Sequence, residues 1–300
     1  MIKKYQKFIL ESKFLKDVHI FGYLEKKYYI GIDSIIESLN PNSYIEDESY
    51  LIWDYNNEEV TQKINEFTFR VETQNIFNLD YLKFTREPIE VCDFDFKSFV
   101  KERVNHYMIK SNNSDEFIFG ELGYSDEIKL FVKMCYDEAK EIGLDTRGRY
   151  CFITIDQKIV EPGKTQREFG WHIDGLQGEE VGDKKPADYQ FIWADETPTK
   201  FCTQTFEVDD IDVKTHNVFK WVGHQVRDSN CYLLDKKKIY LMNSYHVHTA
   251  TKTDKTIYRK FIRVSFTNTP ITSIKMSVNP DISYNYDIHV TSGNIPTHLK

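Results

Sequence analysis

The sequence has few of the residues that build flexible linkers, disulfide scaffolds or membrane spans. It holds 13 Gly and 8 Pro in 300 residues, too few for a flexible linker. The five cysteines are odd in number and form no CxxC pair, which argues against a disulfide framework or a zinc finger and for reduced thiols. No apolar run reaches about 18 residues, and the first residues are too charged for a secretory signal. We therefore expect a cytoplasmic protein without membrane association.

A broad basic surface is also missing. The formal net charge is −8, which favours a small molecule or a protein as partner over nucleic acid. No GxGxxG, P-loop, GxSxG or HExxH motif occurs, and this removes the commonest nucleotide-binding and hydrolase functions. The chain is 40% apolar and 15% aromatic, which is typical of a globular protein. The oligomeric state is left open by the sequence.

The spacing of apolar residues changes near residue 147. Before it, helical spacing predicts helices over residues 95–110 and 125–142, the second capped by Ser125 and ended by Gly143. After it, short β-rich runs with turns between them predict strands over 149–160, 188–195, 201–208, 217–224, 238–250 and 258–268. We expect a mainly β (α+β) fold with a jelly-roll or cupin-like core. Residues 1–147 form a mixed, partly helical flank packed on that core at 148–270, and 271–300 form a C-terminal extension, all in one compact unit.

Residues 170–175 read GWHIDG and suggest a metal site. Side chains two apart on a strand face the same way, so His172 and Asp174 present an imidazole and a carboxylate to one point. A non-heme iron site needs two histidines and one carboxylate, and His246 and His248 are both candidates for the third ligand. Further along, Arg263 and Ser265 share a strand face, where a guanidinium and a hydroxyl can bind one carboxylate.

The order HxD, distant His, RxS resembles the Fe(II)/2-oxoglutarate-dependent dioxygenase superfamily over about residues 150–268. The resemblance implies a double-stranded β-helix core, iron ligation by His172, Asp174 and His248, and binding of the 2-oxoglutarate carboxylate by Arg263 and Ser265. His248 is favoured over His246 because small residues, here Thr249 and Ala250, often follow this ligand in the family. Halogenating relatives carry Gly or Ala at the position of Asp174, so the resemblance implies hydroxylation of a C–H bond.

Other residues are assigned around this centre. Tyr150 and Gln190 are expected to contact 2-oxoglutarate, whereas Arg167, Trp193 and Arg259 are candidates for contact with the substrate, a small molecule or a protein side chain. Two alternatives stay open: a cupin-like metal-binding or scaffold protein without 2-oxoglutarate chemistry, and a metal-dependent isomerase on the same fold. Core packing for Trp193 and a surface salt bridge for Arg259 are the simpler interpretations of those two residues.

Overall fold

The computed structural model describes residues 44–47, 50–53, 66, 69–70, 72–83, 86–101, 103–167, 170–174, 186–212, 216–271 and 276–282. The chain separates into two compact units, Met1–Phe69 and Arg70–Lys300. In the first unit, β1 (Tyr44–Asp47) and β2 (Tyr50–Trp53) form an antiparallel hairpin. The elements named below belong to the second unit. The division at residues 147 and 270 stays a prediction.

The second unit is built on two antiparallel sheets. A six-stranded sheet has the order β3-β9-β6-β11-β5-β4, and a three-stranded sheet has the order β10-β7-β8. The strands are β3 (Ile89–Asp93), β4 (Val104–Lys110), β5 (Tyr150–Val160), β6 (Tyr189–Ala194), β7 (Lys200–Cys202), β8 (Cys231–Leu233), β9 (Lys238–Asn243), β10 (His248–Thr249) and β11 (Ile257–Thr267). The helices are α1 (Asp126–Glu141) and α2 (Val218–Gln225). The expectation of a mainly β protein is therefore confirmed, and the arrangement is compatible with a sandwich or jelly roll.

Both faces of the six-stranded sheet are covered, which explains why its central strands are apolar over long runs rather than strictly alternating. On one face, a hydrophobic cluster joins it to the three-stranded sheet through residues such as Met242, Phe261 and Phe201. On the other face, Tyr136 of α1 stacks on Phe266 of β11 at 6.5 Å. The first face also carries the polar residues of the site.

The helix α1 confirms the prediction for residues 125–142. The Ser125 hydroxyl accepts a hydrogen bond from the backbone N–H of Ile128, as a helix N-cap does. Gly143 follows the last turn with a positive φ of 78°, a conformation that glycine adopts without steric cost. The predicted apolar face is buried: Ile128, Phe131, Val132, Cys135, Ala139 and Ile142.

Two segments were assigned the wrong structure from their sequence, and two predicted strands are shorter than expected: 201–208 is a strand only to residue 202, and a turn at 244–245 interrupts 238–250. Residues 95–110 are not a helix: their second half is β4, which pairs with β5, and Phe96 packs edge-on against Trp193 at 4.8 Å. Residues 217–224 are not a strand: they form α2, whose N-cap Asn217 accepts a hydrogen bond from the N–H of Lys220. Val218 and Val222 of α2 are buried one turn apart, and this spacing places both in the core.

Residues 276–282 lie against β4. The buried Asn279 side chain donates to the carbonyl oxygens of Met108 and Ile118, and the N–H of Ser277 donates to the carbonyl of Asn105. Within the described part of the chain, no helix has the length and apolar character needed to cross a bilayer.

Candidate metal centre

His172, Asp174 and His248 lie together at one end of the space between the sheets. Their ligand atoms are all within 4.8 Å of one another. An antiparallel bridge brings the two histidines together: the N–H of each donates to the carbonyl of the other at 3.0 Å, and the ring centroids are 4.3 Å apart. The second unit thus joins residues that are far apart in the sequence, as the spacing argument required.

Ile173, between the two ligands of the HxD segment, explains their orientation. It is 1% exposed and packs in a hydrophobic cluster with Val218 and Val222 of α2 and Val247. Successive side chains of an extended segment point to opposite sides. Because Ile173 is buried on one side of the segment, His172 and Asp174 point to the opposite side. The apolar residue of the motif therefore anchors the two candidate ligands.

Both histidines have the tautomer that metal ligation needs. His172 Nδ1 is 2.8 Å from the carbonyl oxygen of Gly170, and His248 Nδ1 is 2.8 Å from that of His246. A carbonyl oxygen only accepts, so each Nδ1 carries the proton and each Nε2 keeps a lone pair. Hydrogen bonds of this kind orient histidine ligands in metalloproteins.

The charges of the three groups also suit a cation. Burial, followed by the neighbouring His172, lowers the pKa of His248 to about 4, so this imidazole is neutral at pH 7. Burial alone would raise the pKa of Asp174, but His248, Arg263 and the Gln190 hydrogen bond outweigh it and hold that pKa well below its usual range. His248 is therefore a neutral imidazole beside an ionised Asp174 carboxylate.

Gln190 and Ser265 form a chain of hydrogen bonds behind Asp174. The Gln190 amide donates to Asp174 Oδ2, and the Ser265 hydroxyl donates to the Gln190 side-chain oxygen at 3.4 Å. Gln190 and Ser265 are directly paired on β6 and β11, so their side chains share the inner sheet face. The structure therefore places both beside the carboxylate ligand; their contact with 2-oxoglutarate stays a prediction.

Arg263 reaches the same carboxylate. Its Nη1 lies 3.7 Å from Asp174 Oδ2, its Nη2 lies 3.3 Å from His106 Nε2, and its buried Nε has no partner among the described residues. Burial lowers the pKa of Arg263 to about 10, which still leaves the guanidinium charged at pH 7. Burial and then Arg263 lower the pKa of His106 to about 3, so His106 is a neutral acceptor. Sequence reasoning did not identify His106, which has no motif around it.

The triad, Gln190 and Arg263 line a cavity of about 1380 Å³. Cavities for small ligands usually measure about 300–1,000 Å³, so this one has room for more than a small acid. Its walls include Asp174, Arg263, Trp171 and Phe219. The Phe219 ring of α2 stands edge-on to the His172 ring at 6.0 Å and closes one side.

Two of the three residues assigned to substrate line this cavity. The Arg167 guanidinium lies over the Phe261 ring, 5.6 Å from its centroid. Arg259 is 6% exposed, and its guanidinium donates to the carbonyls of Glu196 and Thr197 and to the Gln166 side chain. Nε and Nη1 of Arg259 are thus hydrogen-bonded within the protein, and none of the described carboxylates forms a salt bridge with it.

Three other predicted residues lie elsewhere. Trp193 points to the opposite sheet face, where its indole N–H donates to the Phe94 carbonyl at 2.7 Å. Tyr150 packs in a hydrophobic cluster with Met108 and Phe152, at the far end of β5 from the cavity. The His246 ring is turned back to Asn243 and lies outside the triad. Of the two histidines in HVH, the structure thus brings only His248 to the other ligands.

A buried polar network supports the turn before His248, and nothing in the sequence pattern signals it. Glu72, 1% exposed, pairs with Arg86 at 2.8 Å and accepts a hydrogen bond from the Asn243 amide at 2.6 Å. The Asn243 side-chain oxygen in turn accepts from the Tyr245 N–H. This network fixes residues 243–246. The carbonyl oxygen of His246 then accepts the hydrogen bond from His248 Nδ1–H.

No family model and no curated protein matches this chain. Solved structures with partial similarity include EvdO2 from Micromonospora carbonacea var. aurantiaca complexed with 2-oxoglutarate, at 12% identity and a TM-score of 0.34 over 55% of this chain and 69% of that one. AviO1 from Streptomyces viridochromogenes Tue57 has 12% identity and a TM-score of 0.30 over 60% and 74% of the two chains. IDO from Bacillus thuringiensis has 12% identity and a TM-score of 0.29 over 75% and 89%. Scores this low do not establish a common fold.

Proposed function

We propose that this protein is a non-heme Fe(II)- and 2-oxoglutarate-dependent oxygenase that hydroxylates a C–H bond of a small molecule or a protein side chain. One observation carries the proposal: two histidines, one carboxylate and a charged arginine with a free donor converge in one large cavity. The first three would hold Fe(II), and the arginine would bind the acid. The finer fold that we propose is a double-stranded β-helix, with the triad between its two sheets.

The donor set fits iron. Two imidazole nitrogens and a carboxylate oxygen suit Fe(II) and leave coordination positions open for a bidentate acid and oxygen. The Nδ1–H bonds of His172 and His248 to backbone carbonyls keep both lone pairs available. When bound, Fe(II) and 2-oxoglutarate would supply the oxidising chemistry: 2-oxoglutarate and oxygen yield succinate and carbon dioxide while C–H becomes C–OH.

The remaining side chains of the site bind the carboxylate of the acid and orient the metal-binding residues. Arg263 can hold a carboxylate through Nε and one Nη, the two-point contact that guanidinium makes best. His106 accepts from Nη2 and so keeps the guanidinium in the cavity. Gln190 and Ser265 hold Asp174 in a fixed rotamer, and Phe219 shields the triad on one side.

The experiment is succinate release from 2-oxoglutarate with Fe(II) and ascorbate, with and without extracts of candidate substrates. We expect release in wild type, none in His172→Ala, and release near wild type in His224→Ala, which removes a histidine from the same cavity but outside the triad. Equal background in wild type and His172→Ala would contradict the proposal and favour a cupin-like structural metal site. Metal analysis of the purified protein tests the isomerase alternative, since that enzyme would hold a metal but consume no 2-oxoglutarate.

A further inference from the structure

The cavity extends along β11 well beyond Arg263. Side chains at positions 259, 261 and 263 face it together, and Lys158 is paired with Arg259 on the neighbouring strand β5. At about 3.4 Å per residue, the Lys158 and Arg259 pair lies about 13 Å from Arg263 along the strand. A molecule bound at the triad therefore has room to extend toward this second group of cations.

Arg167 also lines this end of the cavity. Among the described residues, no carboxylate forms an ion pair with Arg167, Lys158 or Arg259, and the Arg167 guanidinium contacts the face of the Phe261 ring. The nearby Asp156 is already paired with Arg103 at 2.7 Å. Repulsion from Arg167 also contributes to the lowered pKa values of Arg259 and Arg263. This end of the cavity is electropositive although the whole chain is acidic.

Iron and 2-oxoglutarate would not balance these charges. With Fe(II) at two positive charges, 2-oxoglutarate at two negative charges, Asp174 negative and Arg263 positive, the centre sums to zero. Arg167 and Lys158 remain in excess, and a half-buried cation is stabilised by an anion in its vicinity.

Resting on the proposed function, we propose that the substrate is an organic anion whose carboxylate or phosphate binds Arg167, assisted by Lys158, and whose body lies along Phe261 toward the triad. The wall between these points is apolar, formed by Phe261, Ile192 and Met242. An apolar or aromatic body therefore fits the space between the anion site and the metal.

The test is calorimetry on protein loaded with Mn(II) and saturating 2-oxoglutarate, at low ionic strength, with benzoate, phenyl phosphate and the neutral benzamide as probes. We expect at least one of the two anions to bind and benzamide not to bind; which anion binds more tightly distinguishes carboxylate from phosphate. Arg167→Gln should weaken binding of the anion by about tenfold or more, and Arg167→Lys should retain part of the affinity. Arg147→Gln, the matched control, should leave it unchanged, because Arg147 is an exposed arginine that does not line the cavity.

Failure of both anions to bind wild type, equal binding of benzamide, or equal anion affinity in wild type and Arg167→Gln would overturn the inference. The affinity of each variant for 2-oxoglutarate is measured alongside and reports that the fold is intact. If wild type binds no 2-oxoglutarate, the proposed function fails, and the same titrations on metal-free protein still decide whether Arg167 binds the anion.

Discussion

Gln190→Leu is predicted to weaken metal binding without unfolding the protein. The Gln190 amide donates to Asp174 Oδ2, and Ser265 holds the amide in that orientation. Leucine keeps most of the volume but leaves the carboxylate without this donor. A hydrogen bond to a charged group contributes about 1.5–3 kcal/mol. Loss of such a support for a ligand typically costs about 10- to 100-fold in metal affinity, which is the decrease expected here.

The assay is anaerobic titration of Mn(II) into the metal-free protein, followed by calorimetry. Gln157→Leu is the matched control: Gln157 is another sheet glutamine, half-buried, and it donates to the Val100 carbonyl, away from the triad. The control should bind Mn(II) as wild type does. An unchanged dissociation constant in Gln190→Leu, with a normal unfolding transition, would refute the role assigned to this hydrogen bond.

Two predictions concern stability, each measured by urea unfolding of the metal-free protein. Asn243→Ala removes the amide that donates to the buried Glu72 carboxylate, which keeps its pair with Arg86, and the oxygen that accepts from the Tyr245 N–H. It should lower the unfolding free energy by about 2–4 kcal/mol; a loss below about 0.5 kcal/mol would contradict the network. The pKa of His106 is about 3 in the folded protein, below the ordinary value of about 6.5. The unfolded chain therefore protonates this residue at a higher pH than the folded protein does. As a result, the unfolding free energy decreases as the pH falls from 6.5 toward 3. His106→Gln should therefore flatten this pH dependence by about 1.4 kcal/mol per pH unit, and an equal slope in both proteins would show that His106 is not buried in the neutral form.

The sequence correctly predicted those helices and strands whose residue spacing and composition both indicate the same element. In α1, a 3.6-residue spacing and a serine N-cap agree, and in β5 and β11 long β-branched and aromatic runs agree with burial on both faces. The helix prediction for residues 95–110 was wrong because Phe94, Phe96 and Phe99 form an aromatic cluster with Trp193 and do not line one face of a helix. In α2, four of the first five residues are β-branched or aromatic, so the composition concealed the Asn217 cap.

The site was predictable where chemistry and spacing act together. The two-residue spacing of the HxD pair predicted that His172 and Asp174 face the same way. The family resemblance then indicated which distant residues, a histidine and the RxS pair, belong to the same site. The supporting contacts were not predictable: Glu72 and Asn243 are far apart in sequence, and His106 reaches Arg263 only because β4 adds to the edge of the sheet at β5. The choice between His246 and His248 depends on the turn at residues 244–245, which rotates the first ring back to Asn243.

The most direct test of the proposed oxygenase is anaerobic calorimetry of 2-oxoglutarate binding to the protein with and without Mn(II). We expect one site that requires the metal, an affinity lowered by about tenfold or more in Arg263→Gln, and an unchanged affinity in Arg147→Gln, whose arginine lies outside the cavity. Metal-independent binding, or binding that Arg263→Gln leaves intact, would contradict the proposal.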